Sequence, residues 1–235
     1  MADIVLVHGG LHGGSCWELL RPELEKLGHR TFAMDLPIDQ PGVYMDDYAE
    51  AALAAVAGKA ADDAYLVGHS MGGFVVPRML RARPNGRLIF LCAGFAHTSE
   101  EGQRENVQST NGSFFSWLTF DEQGRVTMTR ENAGIAFYSD VTPEIGDWAY
   151  ANLRPQWAEG FSNVPPIAPY GASIAGIVYT TEDPIIDPVQ HRRLAESRFG
   201  ITPIPLPGGH SPFLSHPVDL AATFDRIVKA DQARR

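Results

Sequence analysis

The sequence predicts an α/β fold, a mostly parallel, doubly wound sheet flanked by helices, on three observations. Apolar runs of strand length recur along the chain, segments with helical spacing of apolar residues lie between most of them, and several runs are apolar at successive positions. The last feature suits strands covered on both faces. Strand, helix, strand in that order gives parallel strands joined by right-handed crossovers. With 235 residues, 44% of them hydrophobic, the chain can bury one large core, so a single domain over 1–235 is expected.

Taken in order, the first strand is expected at 4–7 and runs into the glycine-rich HGGLHGG. The segment CWELLRPELEKLG (16–28) follows as a helix, with Leu19, Leu20, Leu24 and Leu27 on one apolar face and Gly28 as its stop. A strand at 31–34, a helix at 44–58, a strand at 65–67, a helix at 71–83 and a strand at 88–92 continue the alternation. Pro77 falls inside the third helix, where it removes a backbone hydrogen bond and bends the axis. After Phe95 the alternation stops. Residues 97–113 are mostly Ser, Glu, Gln, Asn and Gly and read as a polar loop, and LTFDEQGRVTMT reads as a hairpin turned around Gln123 and Gly124. TPEIGDWAYANLRPQW (142–157) opens as a helix, with Thr142 as N-cap, Pro143 at the first helical position and Glu144 in the first turn. The proline-rich NVPPIAPYGA (163–172) leads back to a strand at 174–179, a helix at 187–200, a strand at 201–206 and a helix at 216–230. Residues 96–170 are therefore expected to form an inserted lid, or cap, between two strands of the sheet.

A formal net charge of −9 disfavours nucleic acid and anionic membrane as partners, because an acidic surface repels both. A small neutral or weakly charged molecule fits better. Cys16 and Cys92 each sit in an apolar segment, which points to reduced, buried thiols rather than a disulfide scaffold. The chain opens as a strand without a signal-peptide pattern, and no apolar run approaches 18 residues, so a cytoplasmic protein is expected.

Two strands end in glycine-rich turns. The first, IVLVHGGLHGG, with Asp35 closing the next strand, invites a dinucleotide reading, and spacing decides against it. Aligning Gly10 and Gly13 with the last two glycines of G-x-G-x-x-G puts His8 where the turn-forming glycine belongs. No tyrosine has a lysine four residues on, and no phosphate-binding G-x-x-x-x-G-K-[ST] loop occurs, so no cofactor is expected. The second turn, Gly68-His69-Ser70-Met71-Gly72, matches G-x-S-x-G after a strand and before a helix. A serine on so sharp a turn adopts a strained backbone, and side chains at 68 and 72 would collide with neighbouring elements.

At this point the chain resembles the α/β-hydrolase superfamily. VLVHGGLHGGSCW, LVGHSMGG, FYSDVTPEIGDWAYANLRPQ and VYTTEDPIIDPVQ together are similar to plant methylesterases, hydroxynitrile lyases and their bacterial esterase relatives. The resemblance implies an α/β-hydrolase fold and a triad in the order Ser, acid, His. Ser70 is the expected nucleophile and His210, after the last strand and two glycines, the expected base, with His216 as its rival. Asp183 is the expected acid, with Glu182 and Asp187 as alternatives. The oxyanion hole is expected from the backbone N–H groups of Met71 and Gly10, with Leu11 as rival to Gly10. His8 and His12 are expected to tie down the loop between them, not to bind a metal.

Cyanohydrin cleavage in the group goes with a threonine where this chain has Gly9 and a lysine where it has Ser211, so the expected activity is hydrolysis of carboxylic esters. A lyase or carbon–carbon hydrolase using the same triad, or a non-catalytic ligand receptor, stands as the alternative. The expected substrate is a small to medium apolar or aromatic ester, and a homodimer is left open. The insertion is rich in aromatics, among them Phe114, Phe115, Trp117, Phe120, Phe137, Tyr138, Trp148, Tyr150, Trp157 and Phe161, most of them expected to form its core. Leu11, Trp117 and Tyr138 are the expected substrate contacts, Trp117 by resemblance.

Overall fold

The computed structural model describes residues 1–162 and 164–235, with the side chains of 101, 106–108, 161 and 162 outside the description. The Phe161 side chain and Asn163 thus fall outside the description. The elements run β1 (Asp3–Val7), α1 (Leu20–Lys26), β2 (Arg30–Ala33), α2 (Met45–Val56), β3 (Tyr65–His69), α3 (Gly72–Met79), β4 (Arg87–Leu91), α4 (Glu100–Ser109), β5 (Leu118–Phe120), β6 (Val126–Met128), α5 (Arg130–Ala136), α6 (Pro143–Ala151), α7 (Glu159–Ser162), β7 (Ile174–Thr180), α8 (Pro188–Phe199), β8 (Ile204–Leu206), α9 (Pro212–Ser215) and α10 (Pro217–Arg234). Six strands form a sheet in the order β2-β1-β3-β4-β7-β8, and its adjacent pairs are parallel among the described residues.

The successive apolar positions of the strands feed two cores. Ile4, Leu6, Tyr65, Val67, Ile89 and Leu91 face one layer, where they pack with Leu20 and Leu24 of α1 and Leu220, Phe224 and Val228 of α10. Val5, Val7, Leu66, Leu88 and Phe90 face the other, with Met45 and Ala49 of α2, Val75 and Val76 of α3 and Leu194 of α8. Alternation along a strand is what sends neighbours to opposite layers. The chain steps from β1 outward to β2 and then back across to β3, so the order reverses at β1 and a crevice opens at the carboxyl ends of β1 and β3.

Several expected boundaries shift for identifiable reasons. The first helix begins at Leu20 after a 3-10 turn over Gly14–Trp17, and its buried face is Leu20 and Leu24, with Leu19 and Leu27 exposed. The third helix ends at Met79, two residues past Pro77, and the chain continues in turns in which Leu80, Arg81 and Ala82 donate to the carbonyls three residues before them. The polar stretch read as a loop holds a helix, α4, whose Glu105 pairs with Arg198 of α8 at 2.8 Å. The hairpin is present as β5 and β6, with Gly124 at φ 81° in its turn. A helix not expected from the sequence, α5, is capped by Thr129, whose hydroxyl accepts from the Asn132 N–H at 3.1 Å. Thr142 caps α6 as expected, but the helix stops at Ala151. No helix among the described residues is long and apolar enough to cross a membrane.

Candidate active site

Among the described residues, three that are not glycine, Leu11, Ser70 and Cys92, have positive φ, at 62°, 51° and 44°. They follow β1, β3 and β4, three neighbouring strands, so local strain is concentrated at one edge of the sheet. Ser70 is held there by its backbone: its N–H donates to Leu91 O at 3.2 Å, and its carbonyl accepts from Gly73 N at 3.1 Å and Gly94 N at 3.3 Å. The flanking glycines supply clearance. A Cβ at Gly68 would stand 2.5 Å from Gly72 O, and one at Gly72 would stand 2.6 Å from Val7 O.

His210 and Asp183 meet in the crevice edge. The imidazole is fully buried, and its Nδ1–H donates to Asp183 at 2.8 Å (Oδ2) and 3.0 Å (Oδ1). Asp183 Oδ1 also accepts from the N–H groups of Ile185 at 2.8 Å and Ile186 at 3.0 Å, so the turn after β7 holds the carboxylate independently of the histidine. Donation from Nδ1 leaves Nε2 with a lone pair, and that buried atom has no hydrogen-bond partner among the described residues. His69, beside Ser70 in sequence, does not compete for this place: its Nε2–H donates to the His210 carbonyl at 2.9 Å, and its ring lies 4.7 Å from that of His210. Burial, with His210 and His12 close by, holds His69 well below the ordinary imidazole range. Glu182 is exposed, and Asp187 accepts from Val189 N and Gln190 N as the cap of α8. His216 caps α10 and stands 3.7 Å from Asp140.

The loop after β1 is fastened from three sides. His8 donates from Nδ1 to Gly9 O at 2.8 Å and accepts at Nε2 from Leu36 N at 2.9 Å, while His12 donates from Nδ1 to Gly10 O at 2.7 Å. Burial pushes His8 down to about 4 and His12 down to about 3, so both rings are neutral clamps. Leu11 is gripped at both ends: its N–H donates to Gln156 Oε1 at 2.9 Å and its carbonyl accepts from Arg154 N at 2.8 Å. The amides of Gly10 and Met71 have no protein acceptor among the described residues. Gln156 escaped sequence reasoning; it closes the quoted segment 137–156, and no local pattern marks it. Cys92, buried 3.3 Å from Thr180 Oγ1, has a thiol pushed well up by burial and by Asp183, which leaves it protonated and unreactive.

A cavity of about 390 Å³ opens over Ser70. Gly10, Leu11, Ser70 and Met71 line its floor, Phe114, Leu118, Val126 and Phe137 come from the segment between β4 and β7, and no Asp, Glu, Lys or Arg is in its wall among the described residues. Of the three expected substrate contacts, Leu11 faces this space. Trp117 and Tyr138 do not line it: Trp117 packs on the core cluster with its carbonyl accepting from Asn132 Nδ2, and the buried Tyr138 hydroxyl donates to His12 Nε2 at 3.2 Å. Tyr138 therefore braces the loop from behind.

Known proteins share this arrangement of elements. A pyrethroid hydrolase of Sphingobium wenxiniae is 25% identical over 244 residues, covering 94% of this chain and 85% of that protein. Methylesterase 9 of Arabidopsis thaliana is 39% identical over 92 residues, a match that spans about a third of either chain, 35% of this one and 34% of the other. Among solved structures, polyneuridine aldehyde esterase superimposes with a TM-score of 0.80 at 19% identity, over 97% of this chain and 99% of that one. Residues 4–223 match the alpha/beta hydrolase family, and the chain belongs to it.

Proposed function

We propose that the protein is a carboxylic ester hydrolase acting through Ser70, His210 and Asp183 on small to medium, uncharged, apolar or aromatic esters. The observation that carries this reading is the unpartnered Nε2 of His210, oriented by Asp183 at the same sheet edge as the strained Ser70 that floors the cavity. His210 takes the Ser70 hydroxyl proton as Oγ bonds to the ester carbonyl carbon, and the carbonyl electron pair moves onto oxygen. The Gly10 and Met71 N–H groups receive that oxyanion, each donor contributing on the order of 3 kcal/mol. Collapse expels the alcohol, which takes the proton from His210; water repeats the sequence and releases the acid. The Leu11 amide already donates to Gln156, which favours Gly10 over Leu11 as the donor.

The absence of charge from the cavity wall among the described residues supports a neutral acyl or alcohol group, and its volume suits a ligand of modest size. Residues 96–170 are the lid in this reading, supplying much of the wall over Ser70. The names of the relatives, a pyrethroid hydrolase and a methylesterase, agree with ester cleavage. The free, buried Cys16 and Cys92 suit the reducing cytoplasm. A fluorophosphonate probe followed by intact-mass measurement tests the mechanism: one adduct is expected on the wild type and none on Ser70→Ala. No adduct on the wild type, or equal labelling of Ser70→Ala, overturns it.

A further inference from the structure

Away from Ser70 the apolar cavity has a polar corner that the hydrolytic steps do not use. His97, in the loop after β4, lines it with only 4% of its surface exposed, and its ring has no hydrogen-bond partner among the described residues. Gln103, on α4, also borders this space but is solvent-exposed, so His97 is the buried polar group of the corner. Gly102 lets α4 pack closely on His97, since a Cβ there would stand 3.2 Å from His97 Cβ. Buried polar side chains are almost always hydrogen-bonded, and an apolar side chain at position 97 would fill this wall without leaving such a group unmatched.

We propose that His97 is a specificity-determining residue whose ring N–H hydrogen-bonds a neutral oxygen acceptor, such as a ketone or ether, carried on the apolar body of the ester. This rests on the ester-hydrolase reading above. Position follows from the chain: Gly94 N–H donates to Ser70 O, and His97 is three residues further on, a reach of at most about 11 Å. Burial, with the guanidiniums of Arg78 and Arg198 nearby, keeps the His97 ring below the ordinary imidazole range, so it stays neutral and offers one N–H. The positive neighbours favour an acceptor over a donor. Arg78 is paired with Asp46 and Arg198 with Glu105, so the corner suits a neutral oxygen and not a carboxylate.

The test compares para-nitrophenyl hexanoate with the same ester bearing a ketone at the penultimate acyl carbon, and hexyl acetate with its penultimate-carbon ketone, so that either half of the ester can report. The readout is the ratio of kcat/KM values within a pair, which a general loss of folded enzyme does not move. In at least one pair the wild type is expected to favour the ketone about tenfold, as one well-placed hydrogen bond allows. His97→Phe is expected to bring that ratio to within about twofold of one, and His97→Gln to retain several-fold. A wild-type ratio near one in both pairs, or a preference that survives His97→Phe, overturns the proposal. Fluorophosphonate labelling of Ser70 separates this failure from failure of the hydrolase reading. Should no ester be turned over, calorimetry on Ser70→Ala with benzylacetone and butylbenzene gives the answer directly: a tenfold tighter Kd for the ketone, lost in His97→Phe, supports the role of His97, and equal affinities refute it.

Discussion

The Asp183 carboxylate illustrates how much a single atom decides. Its Oδ1 is committed to two backbone N–H groups, so in Asp183→Asn the amide oxygen keeps that place and the NH₂ group is turned toward His210 Nδ1. A donor now faces a donor. The ring escapes by moving its proton to Nε2, and the lone pair that would receive the Ser70 proton is gone. Ester turnover by Asp183→Asn is expected to fall by three to four orders of magnitude, on the order of 10⁴ at most, with little change in KM or in the unfolding midpoint. Rates of aryl-ester hydrolysis within tenfold of the wild type would remove Asp183 from the mechanism. These residues are legible in the sequence because each follows a strand in a fixed order, and a strand's carboxyl end is where this fold exposes side chains. Gln156 and His97 are not legible in the same way. Their meaning lies in contacts with Leu11, 145 residues distant from Gln156 in the chain, and with a cavity wall assembled from separate segments.

Among the elements, the segment after α6 acts as a strap across the loop that follows β1. Arg154 and Gln156 hold Leu11 by its carbonyl and N–H, and Gln156 also pairs through its backbone with Val126 of β6 at 2.7 and 3.0 Å. The Gly10 amide thus depends on a residue from another part of the fold for its position. Gln156→Leu fills the space but leaves the buried Leu11 N–H without an acceptor, a cost of about 1–3 kcal/mol. The expected outcome is a lower urea midpoint together with a drop of about tenfold or more in kcat, because the Gly10 amide proposed as an oxyanion donor is no longer held in line. A variant that loses stability and keeps full kcat would show that the strap supports the fold alone. Element existence is predicted well where apolar periodicity is strong, as for β1, β3, β4 and α2. The helix α4 has no such periodicity, since Val107 is the single apolar side chain in its sequence, and it is secured by Arg198 of α8, which pairs with Glu105 and donates to Gly102 O at 2.6 Å. A tertiary ion pair of this kind leaves no local trace in sequence.

For the whole molecule, the unusual feature is the number of histidines buried as neutral rings around one sheet edge. Burial takes His8 and His191 down to about 4 and His12 to about 3, from an ordinary value of 6.5. His191 donates to Ala93 O at 2.9 Å and stacks on Phe95, so it is also a structural element of the β4 edge. Above pH 6.5 these rings are neutral in both folded and unfolded chains, and their contribution to stability is fully present. Between 6.5 and about 4 the unfolded chain binds protons that the folded one refuses, so stability falls as pH falls, by about 1.4 kcal/mol per pH unit for each ring. Asp3, Asp225 and Asp231, held low by their ion-pair and hydrogen-bond partners against the upward push of burial, lose their contribution only below the ordinary carboxylate value of 3.8, so the two windows are separate. Urea unfolding measured from pH 8 to 4 is therefore expected to be flat above pH 7 and to decline steeply between 6.5 and 4.5. In His12→Asn the same decline is expected to be shallower by about 1.4 kcal/mol per pH unit, whatever the variant's stability at neutral pH. An unchanged slope in His12→Asn would mean that this ring already takes up its proton in the folded protein, and with that the account of His12 as a neutral clamp on the Gly10 carbonyl would fail.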